Sequence, residues 1–168
     1  DEKNITPKEF LLNAMSKKLD CLIISDHNTF KWIPQLGIAL KEMEENNEIG
    51  YRKIYIFPAV ELNVNGNIHV LGIFDIGTDY ETLAGILGKV EYSDSCKATT
   101  KSLAEVIEII VKNGGIAIPA HVDGPSGMFY EELCSASTIK SALEVDGILA
   151  LEMTGLEVCH HLYIENKK

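Results

Sequence analysis

Short apolar runs alternate along this chain with longer stretches in which apolar residues recur at every third or fourth position. Short apolar runs are typical of buried strands, and the wider spacing is typical of one face of a helix. The predicted strands cover residues 22–24, 54–60, 68–74, 116–118 and 148–153. The predicted helices cover residues 6–18, 29–46, 80–87, 103–111 and part of 131–143. Because strands alternate with helices, the pattern predicts an α/β fold around a mainly parallel sheet.

Local signals refine three of these elements. Thr6 is suited to cap the first helix, and Glu9 is placed to complete a capping box. Asn65-Gly66, between two apolar runs, predicts a hairpin. The uninterrupted apolar run at 22–24 predicts a strand that is buried on both faces.

The composition is that of an ordinary globular protein: of 168 residues, 46% are apolar and 24% are charged. This length suits one domain, and we expect residues 1–168 to form a single one. No apolar run reaches about 18 residues and the first residues are charged, so we predict neither a membrane span nor export, and a cytoplasmic location. The cysteines show no paired spacing, which predicts reduced thiols, with Cys21 inside a buried strand.

The formal net charge of −10 narrows the range of partners. It argues against nonspecific electrostatic binding of nucleic acid, which requires many lysines and arginines. It leaves room for a small phosphorylated substrate or a nucleotide, because bound metal ions would offset acidic side chains.

Acidic and imidazole side chains stand at the ends of several predicted strands. Asp26 and His27 follow the first strand, Glu61 follows the second, His69 begins the third and His121 follows the fourth. Strand ends of this kind converge on one edge of an α/β sheet, where active sites lie. A lone histidine there is ordinarily a hydrogen-bonded residue, but three histidines and two acids together predict a site for Zn²⁺, Mn²⁺ or Fe²⁺. Glu61 is the residue suited to bridge two ions.

Two other patterns do not indicate a function. Gly124-Pro125-Ser126-Gly127 lacks the lysine of a phosphate-binding loop and predicts a simple turn. Ser25 and Ser126 have no nucleophile-elbow sequence around them, so serine hydrolase chemistry is not indicated.

Five stretches resemble motifs of the polymerase and histidinol phosphatase (PHP) family, in matching order across nearly the whole chain. They are the Thr-Pro helix start at 6–10, the segment 19–29 with its Ser-Asp-His, Pro-Ala-Val-Glu-Leu at 58–62, Asn-Ile-His-Val-Leu-Gly at 67–72, and Gly-Gly-Ile-Ala-Ile-Pro-Ala-His at 114–121. The resemblance is strongest to PHP domains of proteins that also carry an AAA-type ATPase region.

The resemblance implies a distorted seven-stranded TIM-like β/α barrel that holds up to three divalent metal ions at its rim. It implies hydrolysis of a phosphate mono- or diester through metal-activated water. By position, it makes His27, Glu61, His69 and His121 metal ligands, and Asp26 a ligand or an acid that orients one. Asp26 and His27 are also the residues that we expect to act in catalysis.

Two motifs of the family are absent, and two other functions remain open. Neither the His-x-His motif expected before the Thr-Pro helix nor the late Asp-x-His is present, so we expect an incomplete barrel whose exposed sheet edges favour a homo-oligomer. A non-catalytic PHP-like module that regulates or scaffolds an attached ATPase would keep the fold without activity. A related metal-dependent amidohydrolase would keep the same rim and cleave C–N bonds.

Overall fold

The computed structural model of the protein describes residues 5–64, 67–130 and 134–155, and the elements named here lie within those ranges. The helices are α1 (Pro7–Ser16), α2 (Trp32–Glu45), α3 (Tyr80–Lys89), α4 (Leu103–Lys112) and α5 (Ala136–Leu143). The strands are β1 (Cys21–His27), β2 (Tyr55–Val64), β3 (Ile68–Ile73), β4 (Tyr92–Ser93), β5 (Ala98–Thr99) and β6 (Ile116–Pro119). Each helix predicted from apolar spacing is present, with its ends shifted by a few residues.

The predicted capping box at the start of α1 is confirmed. The Glu9 amide donates to Thr6 Oγ1 at 3.2 Å, and the Thr6 amide donates to the Glu9 carboxylate at 2.9 Å. Ser102 and Glu105 form the same arrangement at the start of α4, at 3.4 and 2.9 Å. Each box satisfies two backbone N–H groups that have no partner within their helix.

Four strands form the main sheet in the order β1-β2-β3-β6. β1 and β2 are parallel and are joined by the crossover helix α2, whereas β3 is antiparallel to both β2 and β6. The prediction of a mainly parallel sheet is therefore wrong. The β2–β3 connection is too short for a parallel crossover, so β3 runs in reverse, and it lies between β2 and β6 and is antiparallel to both. β1, β2 and β6 still point the same way. Their carboxyl ends and the start of β3 thus meet at one edge of the sheet, which we call the rim.

Helices cover one face of this sheet. Val60, Leu62 and Val70 are completely buried on that face, in the same cluster as Ile107 and Ile110 of α4. α4 packs closely enough that a Cβ added at Gly72 would lie 3.2 Å from the Ile110 side chain. Most of the core therefore lies between the sheet and the helices.

The opposite face of β1 is open. Ile24 is buried in the cluster formed with α1 and α2, but its neighbour Ile23 is 57% exposed. The prediction that residues 22–24 are buried on both faces is therefore wrong. Cys21, at the start of the same strand, is exposed as well, contrary to expectation. The reason is that β1 is an edge strand covered by helices on one side only within the described ranges.

Residues 148–153 do not form the predicted regular strand. Ile148 makes a single parallel bridge to Ala117 of β6. Further along, the Glu152 amide donates to the Pro119 carbonyl at 3.0 Å, and the Val122 amide donates to the Glu152 carbonyl at 2.9 Å. The segment therefore runs beside β6 and the loop after it without a continuous ladder.

Several expectations reach beyond what the structure describes. The described strands form an open mixed α/β sheet, and the barrel remains a prediction. The cysteines Cys21, Cys96 and Cys134 are free, whereas Cys159 and the turn Asn65-Gly66 lie outside the described residues. None of the helices in the described ranges has the length and apolarity that a membrane crossing requires.

Candidate metal centre

The ends of β1 and β2 place His27 beside Glu61. The two residues are paired in the parallel register, and His27 Nε2 lies 3.7 Å from Glu61 Oε2. Asn28, which sequence reasoning missed, secures this junction. Its amide donates to the Glu61 carbonyl at 2.9 Å, and its side-chain oxygen accepts the Asn63 amide at 2.8 Å. Asn28 does so in the left-handed region, at φ 56°, which asparagine adopts more readily than most residues.

The β2–β3 hairpin brings His69 to the same place. His69 is paired with Asn63 and lies on the same face as Glu61, whose Oε1 is 2.8 Å from His69 Nδ1. The expectation that His69 stands near Glu61 is confirmed. Both side chains are largely enclosed, with exposed fractions of 16% for His69 and 20% for Glu61.

The surroundings of His69 favour its neutral form. Burial is the main cause that lowers the pKa of His69 below its ordinary value, and the nearby His121 and His27 act in the same direction. The Glu61 carboxylate opposes this shift. A neutral imidazole keeps a lone pair on one ring nitrogen, which is what a metal ligand requires.

His121 reaches the group from the loop after β6. Its Nε2 lies 3.1 Å from His69 Nδ1, and the two ring centroids are 5.0 Å apart. His121 has a φ of 30°, an unusual value for a residue with a side chain. Its amide donates to Glu152 Oε2 at 3.0 Å. The loop conformation therefore depends on a contact with a distant part of the chain.

The predicted turn at 124–127 also supports the histidines. The Gly124 amide donates to the His121 carbonyl at 2.7 Å, and the His69 amide donates to the Ser126 carbonyl at 3.0 Å. Gly127 lies so close to this backbone that an added Cβ would stand 2.4 Å from the His121 carbonyl oxygen. The turn thus connects β3 to the loop that carries His121, and it needs glycine to do so.

The structure brings some of the predicted site residues together and leaves Asp26 apart. Ligand atoms of His27, Glu61 and His69 all lie within 4.8 Å of one another, and His121 adjoins this group through His69. Asp26 is not a member. It precedes His27 in β1, and successive side chains of a strand point to opposite faces. The roles of all five residues as ligands or catalytic groups remain predictions.

The donor set fits a divalent ion. In a tetrahedral site with ligands about 2.1 Å from the metal, neighbouring ligand atoms are about 3.4 Å apart. The Glu61 oxygens lie at comparable separations from the two histidines, Oε1 at 2.8 Å from His69 Nδ1 and Oε2 at 3.7 Å from His27 Nε2. Two imidazoles and a carboxylate suit Zn²⁺, Mn²⁺ or Fe²⁺.

Comparison with known proteins gives a likeness of fold. No protein-family model matches the sequence, and none of the curated proteins matches it. A solved structure from Bifidobacterium adolescentis, of a protein whose metal-dependent phosphoesterase activity is itself a prediction, has a TM-score of 0.50 at 15% identity and covers 88% of this chain and 71% of its own. An amidohydrolase from Chromobacterium violaceum, solved with bound sulfate and no metal, has a TM-score of 0.49 at 15% identity over the same shares. At such identity the first likeness shows a shared mixed α/β fold and nothing about activity.

Two further polar residues near the rim were missed by sequence reasoning. The Asp123 carboxylate accepts the amides of Thr154 and Gly155 at 2.9 and 2.7 Å, and these bonds, chiefly that from Thr154, lower its pKa. Asn63 donates through its side-chain nitrogen to the Lys97 carbonyl at 2.9 Å. Its Oδ1 is buried and has no hydrogen-bond partner in the described part of the chain. Neither residue has a sequence signal beyond its proximity to a predicted ligand.

Proposed function

We propose that this protein is a metal-dependent hydrolase of phosphate mono- or diesters, built on a PHP-type scaffold. The observation that carries the proposal is the convergence of His27, Glu61 and His69, whose ligand atoms lie within 4.8 Å of one another. These three residues come from three strands, and in sequence each lies in a stretch that resembles a PHP motif. The fold shared with the Bifidobacterium protein supports the scaffold part of the proposal only.

A divalent ion at this site would supply Lewis acidity, making water more nucleophilic and stabilising charge on the phosphoryl group. Glu61 directs its two oxygens to different histidines, Oε1 toward His69 and Oε2 toward His27. Glu61 would therefore hold metal together with His27 and His69, and His121 Nε2 lies 3.1 Å from the same His69 nitrogen that Glu61 contacts. His27, with 64% of its side chain exposed, marks the side from which a substrate would approach.

Metal binding tests the first half of the proposal. At a concentration of 100 times its dissociation constant, a bound ion stabilises a protein by about 2.7 kcal/mol. For a domain of this size that raises the melting temperature by about 5–11 °C. We expect Mn²⁺ to produce such a shift in the wild type and Glu61→Gln to abolish it. Glu144→Gln, in a residue at the end of α5, is the matched control and should leave the shift unchanged.

A substrate panel tests the second half. We expect the Mn²⁺-loaded protein to hydrolyse p-nitrophenyl phosphate or bis(p-nitrophenyl) phosphate, and not p-nitroanilide amides. Protein that retains no metal by elemental analysis after dialysis would contradict the proposal. Metal binding without any hydrolysis would favour the regulatory module attached to an ATPase, and cleavage of amides alone would favour the amidohydrolase.

A further inference from the structure

His121 needs support from outside its own loop. It follows β6, where the regular ladder ends, and its φ of 30° lies in a region that residues with a Cβ rarely adopt. Such a conformation persists only when the surrounding structure holds it. The question is which contacts do so.

Glu152 supplies a contact to both the backbone and the ring of His121. Its Oε2 accepts the His121 amide at 3.0 Å and lies 3.6 Å from His121 Nδ1, just beyond hydrogen-bond distance. The other ring nitrogen, Nε2, faces His69. In many metal sites a hydrogen bond from the second ring nitrogen to a carboxylate orients the histidine. Here the hydrogen bond runs from the backbone amide of His121 instead.

Glu152 is itself held firmly, although about half of its side chain is exposed. Its amide and carbonyl are both hydrogen-bonded to the backbone on either side of His121, at Pro119 and Val122. Just beyond it, the Asp123 carboxylate accepts two backbone amides, from Thr154 and Gly155. The segment that carries Glu152 is thus hydrogen-bonded to the His121 loop on both sides of the residue, and this places the Glu152 carboxylate next to His121.

We propose that Glu152 is a positioning residue that fixes the backbone of His121, and through it the direction of the ring, so that Nε2 faces the His27, Glu61 and His69 group. The consequence for metal binding rests on the proposed function, whereas the hold on His121 does not. Residues 148–155 then contribute to the site without supplying a ligand themselves.

Glu152→Ala removes the acceptor, and Glu152→Gln removes the charge while keeping an acceptor oxygen. In metal-free Glu152→Ala we expect amide hydrogen exchange at His121 to become roughly tenfold faster, as for the loss of one charge-assisted hydrogen bond. The neighbouring Val122 amide donates to the Glu152 backbone, which the variant retains, so it serves as an internal control. Its exchange should change by less than about twofold, well below the loss of one hydrogen bond.

Mn²⁺ binding gives the second readout, because this ion prefers nitrogen and oxygen ligands to the cysteine sulfurs elsewhere in the chain. We expect Glu152→Ala to weaken Mn²⁺ binding by about tenfold, the lower end of the effect of removing a partner that orients a ligand. Glu152→Gln should restore both exchange and binding to within about threefold of the wild type, since it can still accept the His121 amide.

Three results would overturn the proposal. One is unchanged His121 exchange in Glu152→Ala. Another is a Glu152→Gln variant that binds Mn²⁺ as weakly as Glu152→Ala, because the carboxylate would then act through its charge or as a ligand. The third result applies if the alanine variant fails to fold. In the wild-type protein we expect an NMR scalar coupling across the hydrogen bond, between the His121 amide nitrogen and the Glu152 carboxyl carbon. The absence of this coupling would overturn the proposal. If the wild-type protein binds no Mn²⁺, the proposed function is refuted. The hydrogen-exchange data still decide whether Glu152 holds His121.

Discussion

Gly127 offers the most direct test of how the His121 loop is built. A Cβ at this position would lie 2.4 Å from three backbone atoms: the His121 oxygen and both the carbon and oxygen of the Val122 carbonyl. All three are backbone atoms, so no side chain can rotate to make room. The loop must shift if Gly127 becomes alanine.

The expected loss of folding stability follows from the contacts that a shift of the loop would break. Two short backbone hydrogen bonds hold the turn, from Gly127 to the Gly124 carbonyl at 2.8 Å and from Gly124 to the His121 carbonyl at 2.7 Å. Losing both costs about 2 kcal/mol, and overpacking strain adds about 1–3 kcal/mol. We therefore expect Gly127→Ala to lower the free energy of unfolding by about 3–5 kcal/mol. The melting temperature should fall by at least about 6 °C.

Two other glycines calibrate the measurement, which is urea denaturation followed by circular dichroism. Gly85 lies within α3 with nothing inside 4 Å of an added Cβ, so Gly85→Ala should stabilise the protein by about 0.5–1 kcal/mol. At Gly124 the added Cβ would be 3.2 Å from a single backbone atom, and we expect an intermediate effect. If Gly127→Ala unfolds within about 1 kcal/mol of the wild type, the close approach does not constrain the loop and the reasoning fails.

Two further predictions concern the pH dependence and one helix end. Burial lowers the pKa of His69 in the folded state, so His69 binds a proton more readily in the unfolded chain than in the folded one. The metal-free protein should therefore lose stability as the pH falls below 6.5, the ordinary pKa of histidine. Denaturation at several pH values should show a shallower loss in His69→Gln, and identical pH profiles for the two proteins would refute this. Ser102→Ala removes the cap of α4 and should cost about 1 kcal/mol, or about 2–4 °C in melting temperature. A variant with the same melting temperature as the wild type would show that Glu105 alone suffices to start the helix.

The elements that local sequence specifies were predicted well. The helices follow from apolar spacing, and the start of α1 follows from Thr6 and Glu9, because these signals act within one or two helical turns. The antiparallel β2–β3 pair follows from a connection too short for anything else. The proximity of His69 to Glu61 is a direct result of that hairpin, which is why sequence alone could anticipate it.

The errors arise where packing partners decide the outcome. Ile23 and Ile24 are equally apolar, yet one is exposed and the other buried, because β1 lies at a sheet edge that helices cover on one side. The apolar run 148–153 was expected to form a strand, but it meets β6 through only a few hydrogen bonds. Burial and strand pairing depend on elements far away in sequence, so periodicity cannot fix them.

For the candidate site, sequence by itself determined which residues are available: histidines and acids at strand ends, of the types that bind divalent metals. Tertiary structure decided which of them meet. It brought His27, Glu61 and His69 within reach of one ion. The placement of Asp26 on the other side of its strand, by contrast, already follows from the alternation of side chains along a strand. Tertiary structure also brought Glu152, 31 positions further along the chain, to the backbone amide of His121. Ligand identity is a local property of the chain, whereas ligand geometry depends on contacts between segments that only folding brings together.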